Sequence, residues 1–241
     1  MNIIKSINPS TKKVLGEVKI TSKEEIVKKV QQARSALRPW NDLGVSGRVR
    51  FLRKIISGLI KRKDEFAELA TKEMGMPINQ SLIDIDGAVE YFEWYLDNAE
   101  KYLAPEITYE NDQQIHTVYH EPTGVAAAIT PWNFPASNFV WMCGQNLVVG
   151  NTIVFKHSEE IPLCGKLIEE IVTEANLPGG VFCEVYGGAE VGSVLVDQDI
   201  DMICFTGSTA TGQTLYKKAA EKFIKVFLEL GGSAPGIIFE D

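Results

Sequence analysis

The sequence has 241 residues, enough for one large domain or two modest ones. Hydrophobic residues make up 45% and charged residues 23%, a balance that excludes a disordered chain. The formal net charge is -8 with no basic stripe to offset the acids, which argues against a nucleic-acid partner.

The start, MNIIKSINPSTKK, lacks the apolar core of a secretory signal, and no window is apolar for the length a membrane helix needs. From there to about residue 103 the rhythm is helical. Ser22 followed by Glu25 is a capping box for a helix to about Arg38. Further helices are expected from Ser46 to Lys63, Asp64 to Glu73 and Ser81 to Tyr102, with breaks at MGMP and LAPE. The basic stretch Arg48 to Lys63 reads as the solvated side of its helix. ITYENDQQIHTVYHEP then gives two strand-like pieces around a polar turn, a hairpin. His116 and His120 within it lack the HExxH glutamate and read as strand, so no metal site is expected.

At Gly124 the period changes. GVAAAIT, NTIVFKH, GVFCEVYG, DMICFTG and IKVFLELG are continuous apolar runs, as in strands buried on both faces. Helical stretches near Asn138 to Val149, Ile161 to Ala175, Ala189 to Val196 and Thr211 to Lys222 separate them. This alternation predicts an α/β fold with a doubly wound parallel sheet. A sixth run, GIIFE, begins near the end. Cys143, Cys164, Cys183 and Cys204 fall in helix or strand interiors, far apart and without a CxxC pair. They read as reduced core thiols of a cytoplasmic protein.

Ligands of such sheets bind beyond the carboxyl ends of the strands, where this sequence gathers its polar groups. PWNFP holds Asn133 between two stiffening prolines, either as a fixed donor to an oxyanion or in a plain turn with Trp132 and Phe134 plugging the core. Lys156 and Glu159 end the second run, either to bind ribose hydroxyls or as two solvated charges. FTGSTATG spaces Gly207 and Gly212 like a phosphate loop, with Ser208 at the helix start. Gln213 stands where a triphosphatase loop needs lysine, which disfavours that reading. Glu229 closes a buried strand just before Gly231 and Gly232, either as a solvated group or at the site edge.

Taken in order, TPWNFP, GNTIVFKHSEE, LPGGVFCEVYGG, DMICFTGSTATG and LELGGSAP resemble the aldehyde dehydrogenase superfamily over essentially the whole chain. The resemblance implies a Rossmann-type domain at residues 1–106 and 122–241, with residues 107–121 part of an oligomerisation β arm. It assigns Asn133 to oxyanion stabilisation and Glu229 to activating water, its pKa raised by partial burial. Trp132, Lys156, Ser158, Glu159, Gly188, Gly207 and Ser208 become the cofactor set, for NAD with NADP as the alternative. His157, Thr211 and Ser233 depart from the common pattern at the periphery of these motifs.

The implied activity is oxidation of an aldehyde, a semialdehyde among the candidates, to a carboxylic acid. The implied assembly is a homodimer or homotetramer. The family nucleophile is a cysteine in a GQxC segment beyond ELGG, and this sequence reaches Asp241 without one. The resemblance therefore implies the first half of such an enzyme, the catalytic domain being absent. A catalytically silent dinucleotide-binding protein or partner subunit is the rival reading.

Overall fold

A computed structural model describes residues 3–240, so the expected domain limits at residues 1 and 241 lie outside the described residues. The chain opens with an antiparallel hairpin, β1 (Ile3–Ile7) and β2 (Val14–Lys19). The sequence reading assigned this stretch to a helical region, and the hairpin corrects it. Its cause is local: Asn8 Oδ1 accepts from the Ser10 and Thr11 amides at 3.0 and 2.8 Å, reversing the chain.

Four helices follow: α1 (Lys23–Asp42), α2 (Gly44–Lys61), α3 (Lys63–Met74) and α4 (Ile78–Tyr102). The capping box forms as expected, with Ser22 Oγ accepting from the Glu25 amide and Glu25 Oε2 from the Ser22 amide. α1 outlasts its predicted end at Arg38 and carries Pro39 within it. Arg48 departs from the solvated-face expectation: it is buried, and its Nε donates to the Val148 carbonyl at 3.0 Å. α3 stops at Gly75, whose φ of 79° is the left-handed cap that glycine adopts without strain. The expected hairpin is present as β3 (Glu106–Glu110) and β4 (Ile115–Val118), its strands largely exposed.

The rest alternates strand and helix. In order come β5 (Val125–Ile129), α5 (Pro135–Phe139), a π-helical turn at Val140–Gly144, α6 (Gln145–Val149) and β6 (Thr152–Lys156). Then come α7 (Pro162–Glu174), β7 (Phe182–Glu184), α8 (Ala189–Val196), β8 (Met202–Gly207), α9 (Thr209–Lys222) and β9 (Lys225–Leu230). The five strands pair in parallel in the order β7-β6-β5-β8-β9. Every residue of β5 and β6 is buried, as their unbroken apolar sequence requires.

Period-two alternation sends those side chains into two cores. Ala126, Ala128, Ile153 and Phe155 pack with α2 to α7, whereas Val125, Ala127, Ile129 and Val154 pack with α1, α8 and α9. β9 is an edge strand with alternating half-buried and exposed residues, not the buried strand its sequence suggested. The GIIFE run forms no sixth strand: residues 231–240 have no regular structure, and Ile238 is 96% exposed.

Candidate functional site

β5 and β8 are neighbours, yet the chain winds from β5 outward to β6 and β7 on one side, and from β8 to β9 on the other. The loops that leave their carboxyl ends therefore diverge, opening a crevice at the switch point of the sheet. Two adjoining clefts of about 530 and 820 Å³ occupy it. Pro131, Trp132, Thr206 and Gly207 line both.

The smaller cleft runs between the end of β6 and the helices α8 and α9. Lys156, Ser158 and Glu159 form one wall, and Ala189, Thr211 and Thr214 stand among the residues opposite. Lys156 is only 4% exposed, with Nζ 3.2 Å from Glu159 Oε2 and 3.1 Å from the His157 carbonyl, to both of which it donates. Burial pulls this lysine below its ordinary pKa, and the Glu159 carboxylate opposes the shift. Glu159 itself stands exposed with its remaining acceptor capacity open to the cleft. The reading of the pair as two solvated charges fails on the lysine.

Gly207 ends β8, and Ser208 is the N-cap of α9. A Cβ on Gly207 would meet the Phe205 ring at 2.4 Å, so the close turn depends on glycine. Ser208 Oγ accepts from the Thr211 amide at 3.2 Å and caps the helix. The start of this 14-residue helix carries amide groups and the positive end of the helix dipole, a setting for an anion. Gly188 caps α8, its amide donating to Glu190 Oε1 at 3.1 Å, one residue before the wall formed by Ala189.

A dinucleotide fits these groups. A carboxylate beside an ammonium suits a diol, a helix start suits a pyrophosphate, and Trp132, 47% exposed, offers a flat face between the clefts. Thr206 Oγ1 at the junction is buried and has no partner among the described residues.

The larger cleft contains Asn133 and Glu229, from opposite sides of the crevice. Asn133 Oδ1 accepts from Asn138 Nδ2 at 3.2 Å. Phe134 is 45% exposed and Trp132 similarly so, and neither plugs the core. Glu229 lies opposite Thr206 in the β8–β9 ladder and is exposed. The partial burial expected for this carboxylate is absent, because the side chain lies on an edge strand with nothing described packed over it.

Sequence reading missed the other walls. Tyr95 of α4, with Trp141 and Gln145 of the helix after PWNFP, completes the larger cleft. The spacing of Trp141 and Gln145 was the available signal, one helical turn apart on a segment already expected to be helical. The π-helical turn at Val140–Gly144, which contains Trp141 and ends just before Gln145, was not legible.

Cys143, Cys164 and Cys204 are buried and Cys183 is half-buried; none lines either cleft. Burial pushes all four thiols up, Cys204 to about 11 against the opposing hydrogen bond from Asn146. The reading of these residues as core packing holds for three and in part for Cys183.

Comparison with known proteins agrees over the full length. The model of the Aldehyde dehydrogenase family matches residues 1–241. Aldehyde dehydrogenase family 2 member B4, mitochondrial, of Arabidopsis thaliana is 39% identical over 98% of this chain and 45% of its own length. Glutarate-semialdehyde dehydrogenase of Pseudomonas putida is 35% identical over 99% of the chain and 50% of its own. The NAD+ complex of aldehyde dehydrogenase from Bacillus cereus superposes with a TM-score of 0.93 at 34% identity, covering 100% of this chain and 50% of that one. The chain spans about half the length of the relatives it matches.

Proposed function

The chain belongs to the aldehyde dehydrogenase family, and from that premise we propose that it binds NAD and supplies two of the groups that oxidise an aldehyde to a carboxylic acid. The observation that carries the reading is the adjacency of the two clefts across Trp132 and Gly207. A dinucleotide lying in the smaller cleft brings its reactive end to the wall shared with Asn133 and Glu229. When bound, NAD supplies the hydride acceptor.

The residues then divide the work. Lys156 and Glu159 hold the adenosine ribose, with Ser158 beside them and Gly188 toward the adenine. Gly207, Ser208 and the start of α9 face the pyrophosphate. Asn133 donates its amide N–H to the oxygen of the aldehyde as that oxygen gains negative charge during thiol attack. Glu229 takes a proton from the water that releases the acid from the resulting thioester. The thiolate is none of the four cysteines described, since all lie away from the clefts.

Smaller features extend the proposal. Exposed Ile107, Tyr109, Ile115 and Val118 on β3 and β4 suit an arm that pairs with a second copy, giving a homodimer or homotetramer. The domain division is then residues 1–106 with 122–241, and the arm at 107–121. Free cysteines suit a reducing compartment, and we assign the cytoplasm. No helix among the described residues is long and apolar enough to cross a membrane. A semialdehyde is the substrate candidate.

Stopped-flow mixing of the full-length enzyme with NAD and aldehyde tests the roles. Glu229→Gln should keep a burst of NADH about the size of the enzyme concentration while steady turnover falls, because hydride transfer precedes the water step. Loss of the burst with unchanged later steps would contradict the assignment.

A further inference from the structure

The carboxamide of Asn133 is planar and has two chemically opposite ends. Its Nδ2 can donate to an oxyanion, whereas its Oδ1 in the same place would repel one. Asn133 is exposed and lines the larger cleft, so the prolines on either side fix the backbone but not the amide plane. Something else must select the orientation.

Asn138 stands at the right place to do so. It is 2% exposed, on α5 five residues along, and its Nδ2 donates to Asn133 Oδ1 at 3.2 Å. None of the hydrogen bonds among the described residues engages Asn133 Nδ2, which leaves that end for the cleft. The helix that carries Asn138 is itself clamped from α4. Asp84, buried at 5% exposure, accepts from the Ala136 and Ser137 amides at 3.0 and 3.1 Å. The Ser137 hydroxyl donates back to the Asp84 carbonyl at 3.3 Å. This capping fixes where the helix begins, and the Asn138 amide closes the first turn onto the Phe134 carbonyl at 2.8 Å. A buried carboxylate from one helix thus sets the position of the buried amide that orients the exposed one.

We infer that Asn138 is a positioning residue for oxyanion stabilisation: its side chain ties down Asn133 Oδ1 so that Asn133 Nδ2 faces the substrate, with Asp84 holding the turn that brings the two together. The inference rests on the proposed aldehyde oxidation. It concerns how one donor is aimed, not which group donates.

The test is a mutant cycle in the full-length enzyme. Asn138→Leu keeps the branched outline of the side chain, with added bulk, and removes the donor. Loss of an oxyanion donor lowers rate about 10²–10³-fold, so freeing its orientation should lower kcat/KM for the aldehyde about 10–100-fold. NAD affinity should stay near that of the parent, and Tm reports any cost of the added bulk separately. Asn138→Asp should be worse at neutral pH, because a carboxylate only accepts and would draw Nδ2 away from the cleft. Its activity relative to the parent should recover toward acid pH, as the protonated acid donates again to Oδ1.

In an Asn133→Ala background neither substitution should lower kcat/KM further, since the group it acts through is gone. Parental kcat/KM in Asn138→Leu would overturn the inference, as would an undiminished loss in the Asn133→Ala background, which would mark a packing role. If Asn133→Ala alone leaves kcat/KM intact, the oxyanion assignment itself fails and this inference with it. That result is distinct from the other two.

Discussion

His157 Nδ1 lies 2.5 Å from Glu184 Oε1, and neither side chain reaches solvent. The imidazole packs edge-on to Tyr186 at 5.1 Å between centroids and above Gly165, where a Cβ would come within 2.1 Å of Cε1. The unusual histidine after Lys156 is therefore matched by two other features of the same sequence, an acid at the end of β7 and a glycine in α7. Burial drives both groups toward neutrality: His157 falls to about 3, with Lys156 adding to the shift, and Glu184 is raised well above the carboxylate range. Burial thus leaves the carboxyl protonated and the imidazole neutral in the folded chain, one proton for the pair.

The first prediction follows from counting that proton. Unfolded, the pair carries two protons below about pH 4.5, one between about 4.5 and 6.5, and none above. Folded, it carries one from about pH 3, where His157 titrates, up to the raised range in which Glu184 does. The pair's contribution is therefore flat between about pH 4.5 and 6.5 and falls by about 1.4 kcal/mol per pH unit outside that window. Urea unfolding of the parent against a His157→Leu/Glu184→Leu double variant measures it. The stability of the parent relative to the double variant should fall from pH 6 to pH 8; a pH-independent difference would contradict the neutral pair.

Gly165→Ala gives a second measurement on the same cluster. Ala favours a helix over Gly by about 1 kcal/mol. Here the added methyl meets the imidazole, and overpacking of this kind destabilises by about 1–3 kcal/mol. Tm should fall in the parent and rise slightly in a His157→Ala background. A rise in both would mean the ring has room to move.

Thiol reactivity supplies a third. Cys143, Cys164 and Cys204 should resist a disulfide reagent in the native chain and react together on unfolding, with half-buried Cys183 first. A fast, stoichiometric native thiol would identify a nucleophile among the four and overturn the proposal that the reacting thiolate is none of them.

Much of this architecture was legible because strands buried on both faces must be continuously apolar, and all five runs from GVAAAIT to IKVFLELG became strands. The start of α1 was legible because Ser22 and Glu25 form a capping box, whereas α2, with no side-chain cap, begins at Gly44 instead of Ser46. The β1–β2 hairpin was missed because its signal is one Asx turn at Asn8 in a segment without strict alternation. GIIFE shows the limit of apolarity as a signal, since a strand also needs a neighbour to pair with. At the site, Asn133, Lys156 and Glu159 could be found from motifs, whereas Asn138 and Asp84 could not. Their role depends on contacts across 5 and 52 residues that no local pattern encodes.

The central claim is that the cleft between Lys156–Glu159 and α9 binds NAD, and titration of the 241-residue chain tests it most directly. Tryptophan fluorescence should report binding, since Trp132 forms the shared wall of the two clefts. The Glu159 carboxylate can accept from both ribose hydroxyls but repels a 2′-phosphate, an effect of about 1–3 kcal/mol or a ten- to hundredfold preference. NAD should therefore saturate the signal at least about tenfold more tightly than NADP. Glu159→Gln should narrow that gap, and Lys156→Met should weaken both. Saturation by NADP as tight as by NAD, or no saturable response to either, would contradict the claim.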